Sequence, residues 1–227
     1  MSSSVTGVVF QDNVDFVLSE SGSYSVRAKT DLSAGTLVLL EHIVHGEMKD
    51  MFAALMIDNN LRDTLYPRTS PPSSDELKIG FNAFSFNGVI VLGNKISKFN
   101  HACHPNSFLT TADRVKDEYI YGVWTVAKVK AGEELTLDYM SGRAADLHTD
   151  AKAKYGFACD CTENDIKRAA MRLKVEFALA NKFRDAMSAN GSTANMVDSY
   201  MRRGGTRIAK QQKNARELAN RIQFVQL

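Results

Sequence analysis

Two stretches of this chain concentrate side chains able to do chemistry. Residues 97–106, Ser-Lys-Phe-Asn-His-Ala-Cys-His-Pro-Asn, place an amide (Asn100), an imidazole (His101), a thiol (Cys103) and a rigid X-Pro step within ten positions. About thirty positions on, Gly132-Glu133-Glu134-Leu135-Thr136-Leu137-Asp138-Tyr139 reads as a turn feeding a short strand that closes on an aspartate and a tyrosine. Taken alone, Asn100 and His101 are a capping pair at a turn, and a strand-end tyrosine is a buried ring with a satisfied hydroxyl. Their setting argues for more: Cys103, Pro105 and Asn106 follow at fixed spacing, and then a strand at 108–111.

Together the two stretches resemble the signature motifs of the SET domain, the fold of most protein-lysine methyltransferases. The usual forms are Asn-His-Ser-Cys-x-Pro-Asn and Gly-Glu-Glu-Leu-Thr-x-x-Tyr, and both the order and the gap agree. Upstream, Gly22-Ser23-Tyr24-Ser25-Val26-Arg27-Ala28 followed by Leu32-x-x-Gly35 is similar to the first SET motif, Gly-x-Gly-x-Arg-Ala before a turn and a strand. Two glycines of that motif are Ser23 and Ser25 here, and a serine fits poorly wherever φ must be positive. Asn82-Ala83-Phe84-Ser85-Phe86 resembles a stretch of the SET-and-MYND (SMYD-type) branch and of fungal SET proteins. Arg143, Leu147 and Tyr155-Gly156-Phe157-Ala158-Cys159-Asp160-Cys161 look like the SMYD-type ending. The resemblance runs over about residues 5–161, without a MYND insert.

The resemblance implies a fold that is mainly β with some α: small curved β-sheets through which a C-terminal segment is threaded, an exception to the usual unknotted chain. It implies S-adenosylmethionine (AdoMet) as cofactor, held by Ser23, Tyr24, Asn100, His101, Tyr139 and Phe157. Tyr139 and Tyr155 become the catalytic pair, and Asn82, Phe84 and Leu137 join Tyr155 along the lysine channel. Leu137 stands where many histone-directed members carry a Phe or Tyr that limits the number of methyl groups. Cys103, Cys159 and Cys161 match three of the family's four zinc ligands, but Asn164 and Ile166 occupy the usual places of the fourth. A tetrahedral site would need completion by His104, His148, Asp160, Glu163, Asp165 or a partner chain. The alternative is three reduced thiols.

The reaction demands little in the way of special groups. An uncharged amine displaces a sulfonium, so the lysine must lose its proton and align with the S–CH₃ bond. A narrow apolar channel disfavours the ammonium, alignment supplies much of the acceleration, and oxygen dipoles or aromatic faces stabilise the spread positive charge. Two other readings compete. One is a catalytically weak SET-fold module that binds basic protein tails; the other places function in the basic C-terminal end and leaves the SET portion as scaffold.

Composition agrees with a globular protein: 227 residues, 44% hydrophobic and 24% charged. No run of eighteen apolar residues suggests a membrane span, and Met-Ser-Ser-Ser lacks the basic-then-apolar pattern of a secretory signal. Three cysteines without a disulfide-framework spacing suit a reducing compartment, so an intracellular site, nucleus or cytoplasm, is expected. The net charge of +2 conceals an asymmetry. Residues 1–161 balance at −5 and residues 162–227 at +7. An acidic front suits a basic partner such as a lysine-rich peptide. The resemblance implies a lysine-bearing protein as substrate, a histone or another, and a monomer or homodimer is expected. The basic end suits a solvated face or an anionic partner, nucleic acid included.

The elements that must position these residues follow from local pattern. Runs at 5–10 and 14–18 around Gln11-Asp12-Asn13 read as a hairpin, with further strands at 24–28 and 36–40. Residues 47–62 carry Met48, Met51, Phe52, Leu55 and Met56 at helical spacing, and 67–75 is a loop. Segment 46–80 is read as a variable insert, 119–124 as a strand of period two, and 140–161 as a post-SET-like segment closing a domain at 161. Beyond it, helical patterns over 165–187, 193–201 and from Ile208 to Ile222 form a C-terminal extension, 162–227.

Overall fold

The structure, a computed structural model, describes residues 5–20, 22–66, 74–86, 89–102, 104–115, 118–139 and 206–221, with scattered positions between 155 and 203. At its centre is β4 (Leu37–Gly46), buried at eight of its ten positions. A strand apolar on both faces must be covered on both, and its neighbours do this. β9 (Glu118–Thr125) runs antiparallel along one edge, with His42 opposite Ile120, and β8 (Ser107–Val115) pairs in turn with β9. The other edge is shared by β1 (Gly7–Gln11) and β6 (Val89–Leu92), and β5 (Phe84–Phe86) pairs with β6. A second, four-stranded sheet has the order β2 (Val14–Leu18), β3 (Tyr24–Ala28), β10 (Glu134–Leu137), β7 (Asn100–His101).

The hairpin expected at Gln11–Asn13 does not form. β1 joins β4 in the larger sheet and β2 joins β3 in the smaller, so this turn hands the chain from one sheet to the other. Asn13 takes a left-handed φ of 57° and its carbonyl accepts from Lys29, while the Asp12 N–H donates to Val38. Turn chemistry at 11–13 is therefore as the sequence suggests; only its strand partners are not.

Two sheets facing each other bury one core: Val14, Val26, Leu39, Ile43, Phe99, Val123, Leu135 and Leu137 among others. A second core lies under the helices. The single helix expected over 47–62 is two, α1 (Met48–Ile57) and α2 (Asn59–Thr64), divided at Asp58. The fully buried Asp58 carboxylate accepts from Leu61 N at 2.9 Å, capping α2, and from Val5 N at 2.8 Å, tying down the N-terminal segment. A third helix, α3 (Asp75–Asn82), which local periodicity did not announce, begins at a Ser74 cap. Helix α4 (Thr206–Ala219) docks on α1 through Ala215 and Ala219, and its Gln212 side chain donates to the carbonyls of Val5 and Ile43. Arg207, Lys210 and Lys213 point outward, so the apolar stripe of this basic helix covers its own domain.

A close approach explains one glycine. A Cβ on Gly122 would lie 2.2 Å from two ring atoms of the buried Trp124 and 2.9 Å from Leu40. Gly122→Ala is expected to cost about 1–3 kcal/mol by overpacking. Thermal denaturation should record a midpoint several degrees lower, and an unchanged midpoint would contradict this packing.

Candidate active site

The two chemical stretches meet as neighbouring strands. β7 lies parallel to β10, with Asn100 opposite Thr136 and His101 opposite Leu137, and the Ala102 N–H extends the ladder to the Leu137 carbonyl at 3.1 Å. Parallel neighbours need a long crossover, and here β8 and β9 provide it. Asn106 braces the junction: its Nδ2 donates to Glu134 O at 2.8 Å and its Oδ1 accepts from Thr136 N at 3.0 Å. Its own carbonyl accepts from Val126 N. One residue of the first motif thus holds the strand of the second.

Asn100 stitches three strands. Its Nδ2 donates to the Tyr24 carbonyl on β3 at 2.8 Å and to Glu134 Oε1 on β10 at 2.7 Å. His101 Nδ1 accepts from the Tyr139 N–H at 3.1 Å, which makes it the unprotonated nitrogen and places the ring proton on Nε2. Asp138 Oδ1 stands farther from the same nitrogen, at 3.8 Å, and the backbone donor decides the tautomer.

Tyr139 lies just past the end of β10, where the strand expected to carry it has already stopped. Its hydroxyl donates to the Phe99 carbonyl. Phe84 meets its ring edge-on at 5.3 Å between centroids, Tyr155 approaches at 5.1 Å and His101 at 5.3 Å. Desolvation by burial, then Tyr155 and Glu134, push the Tyr139 hydroxyl well above the ordinary tyrosine range. It is a neutral phenol at any working pH, a donor and not a base.

Beside this cluster opens a cavity of about 340 Å³, a volume suited to a small-molecule ligand. It is lined by Gly22, Ser23 and Tyr24 from one stretch, by Thr64, Tyr66, Phe81 and Asn82 from a second, and by Ser97, Lys98, Asn100, His101, Tyr139 and Tyr155. Seven residues singled out from the sequence therefore converge: Ser23, Tyr24, Asn82, Asn100, His101, Tyr139 and Tyr155. The serines replacing glycines carry no strain. The left-handed conformation falls on Gly22 (φ 81°), and among the described residues Asn13 is the one non-glycine with positive φ. Ser23 instead closes the loop on Ser19, its N–H donating to Ser19 Oγ at 3.1 Å.

Other expectations fall elsewhere. Phe84 supports the Tyr139 ring without lining the cavity, and Leu137 points into the core between the sheets, 2% exposed. Asn82 spends its amide on the wall itself, bonding both the N–H and the carbonyl of Tyr66 and the carbonyl of Lys78. Cys103, Phe157, Cys159 and Cys161 lie outside the described residues. Among those described, no group of three His, Cys, Asp or Glu is arranged to hold a metal.

The sequence reading missed Lys98, Tyr66 and Phe81. Lys98 is 6% exposed, its ammonium donating to the Thr64 carbonyl and lying 4.9 Å over the Tyr24 ring. Its position two before Asn100 was the available signal. Tyr66 and Phe81 pack edge-to-face at 5.8 Å; Tyr66 belongs to the insert and Phe81 follows it directly, where no motif marks either.

A family model for the SET domain matches residues 23–140, just over half of the chain. The chain belongs to the SET domain family. Members of this family are generally methyltransferases, and the curled pair of sheets described above is its fold. Similar proteins include two from Acanthamoeba polyphaga mimivirus. "Putative SET domain-containing protein L222" is 28% identical over 151 residues, covering 58% of this chain and 46% of that protein. "Putative SET domain-containing protein L678" is 37% identical over 102 residues, covering 39% and 36%. The chain thus spans less than half the length of these relatives. A similar solved structure is that of a Plasmodium falciparum "putative histone methyltransferase", with 16% identity, a TM-score of 0.35, and coverage of 57% of this chain and 95% of that one.

Proposed function

We propose that this chain is an AdoMet-dependent protein-lysine N-methyltransferase. The observation that carries the reading is the single cavity on which Ser23 and Tyr24, Asn100 and His101, and Tyr139 and Tyr155 converge. Its donor set fits the cofactor: amide, imidazole and backbone groups for a zwitterionic amino-acid portion, aromatic faces for a flat base. Ser23, Tyr24, Asn100 and His101 would hold it, with Phe157 from the following segment. When bound, it supplies an electrophilic methyl group on a sulfonium.

The chain's own residues do the rest. Tyr139 and Tyr155, their rings tilted against each other at 5.1 Å between centroids, border the approach of the lysine amine and exclude water from it. An aromatic, poorly solvated approach favours the neutral amine over the ammonium. The Tyr139 hydroxyl, held by the Phe99 carbonyl, keeps its oxygen lone pairs aimed as a fixed dipole for developing positive charge. The displaced amine proton leaves to solvent before transfer, since Tyr139 cannot serve as base.

The protein substrate, a histone or another lysine-bearing protein of nucleus or cytoplasm, and the SMYD-like placement belong to this proposal too. So does a zinc held by Cys103, Cys159 and Cys161, which metal analysis of the purified protein would detect. Among the described residues no helix is long and apolar enough to cross a membrane. Calorimetry with AdoMet, followed by labelled-methyl transfer to lysine-rich peptides, tests the function. Micromolar binding and label on lysine are expected. Binding without transfer would favour the module that recognises basic tails, and absence of both would overturn the reading.

A further inference from the structure

The carboxylate of Glu41 is buried in the larger sheet, 1% exposed, with no part in the site just described. Both its oxygens accept from Lys95 N, at 2.9 and 3.0 Å, and Oε2 also accepts from Ile96 N at 2.8 Å. These are the leading amides of the 3₁₀ turn Ile96–Lys98, which runs directly into β7. The chain is shaped to let the carboxylate in: a Cβ on Gly93 would stand 2.7 Å from Glu41 Oε2. β4 and β7 belong to different sheets, so this contact sets where the turn of one sheet sits over the other.

We propose that Glu41 is a positioning residue for the cofactor cavity, fixing the turn that delivers Ser97, Lys98 and Asn100 to its lining. The inference rests on the functional reading above. A neutral side chain could accept the same amide hydrogens more cheaply. Burial raises the Glu41 carboxyl above the usual carboxylate range, against the pull of the Lys95, Ile96 and Asn94 amides and the Lys98 charge. By linkage, a carboxyl raised in the fold costs stability at neutral pH, where the unfolded chain would leave it ionised in water. What the cost secures is a rigid, charge-assisted clamp at two successive amides, and an opposite charge near Lys98, which lines the cavity.

Glu41→Gln separates the two roles. Glutamine keeps the shape but turns one acceptor oxygen into a donor facing backbone N–H groups, while removing the buried charge. In the full chain without cofactor, hydrogen exchange over residues 94–102 is expected to accelerate at least tenfold, with β8 and β9 retaining wild-type protection. The thermal midpoint should move by only a few degrees, and AdoMet binding should weaken at least tenfold. Unchanged exchange over 94–102 would overturn the proposal. So would protection lost evenly across the molecule, which marks an ordinary core residue. Should this variant fail to fold, Gly93→Ala decides the matter: it leaves the carboxylate in place and crowds it, and must produce the same local acceleration. Absence of AdoMet binding by the wild type would sink the functional reading alone, because the exchange pattern judges Glu41 without cofactor.

Discussion

Asn100→Ala is expected to weaken AdoMet binding about a hundredfold, roughly 2.7 kcal/mol. The substitution removes an amide that donates to the Tyr24 carbonyl and to the Glu134 carboxylate, loosening Tyr24 and Asn100, two cavity-lining residues, from each other. It also removes a polar group from the cavity itself. A hydrogen bond to a charged group of the bound cofactor contributes about 1.5–3 kcal/mol, so losing that one contact is enough to account for the weakening. Asn100 is exposed on the cavity side, and its loss leaves no buried void. Global stability should fall by no more than about 1 kcal/mol. Calorimetry and thermal denaturation on the two proteins measure both quantities. Wild-type affinity in the variant would detach Asn100 from the cofactor.

Tyr139→Phe should slow methyl transfer by at least about tenfold, within the range seen when one fixed dipole is removed from a reacting centre. The phenylalanine ring keeps its contacts with Phe84, His101 and Tyr155, so the cluster stays packed. Only the hydroxyl and its bond to the Phe99 carbonyl are lost, at about 1 kcal/mol of stability. Single-turnover rates with saturating peptide report the chemical step. The pH profile adds a check on the assignment. Because the Tyr139 hydroxyl sits far above its ordinary value, it stays protonated while the substrate lysine titrates, and any rising alkaline limb belongs to the lysine. That limb should persist in Tyr139→Phe at reduced height. A limb that vanishes would make Tyr139 the titrating group, and wild-type turnover would remove it from the reaction.

Local pattern was sufficient for much of this protein. Asn100, His101 and Asn106 on one stretch, and Gly132 to Tyr139 on the other, could be read because each motif's residues sit within ten positions and act through short-range backbone geometry. The alternation of β9, the apolar run in β4 and the docked stripe of α4 were legible for the same reason: period reports which face is buried. Strand partnership was not. The turn at Gln11–Asn13 has hairpin chemistry, yet its strands join different sheets, because pairing is chosen by what the distant β3 and β4 offer. The break at Asp58 was hidden likewise, since that carboxylate answers to Val5, fifty-three residues away.

The site divides along the same line. Sequence named Ser23, Tyr24, Asn82, Asn100, His101, Tyr139 and Tyr155; tertiary structure put them around one cavity by laying β7 beside β10 in parallel register. It also added Lys98, Tyr66 and Phe81, turned Leu137 into the core, and placed the positive φ on Gly22 so that Ser23 and Ser25 are unstrained. Glu41 is the clearest case. In sequence it is one acidic residue in an apolar strand, and only the closure of one sheet over the other brings its carboxylate to two amides more than fifty residues on. Residue types and spacing determined which groups were available; long-range closure decided which of them face one another.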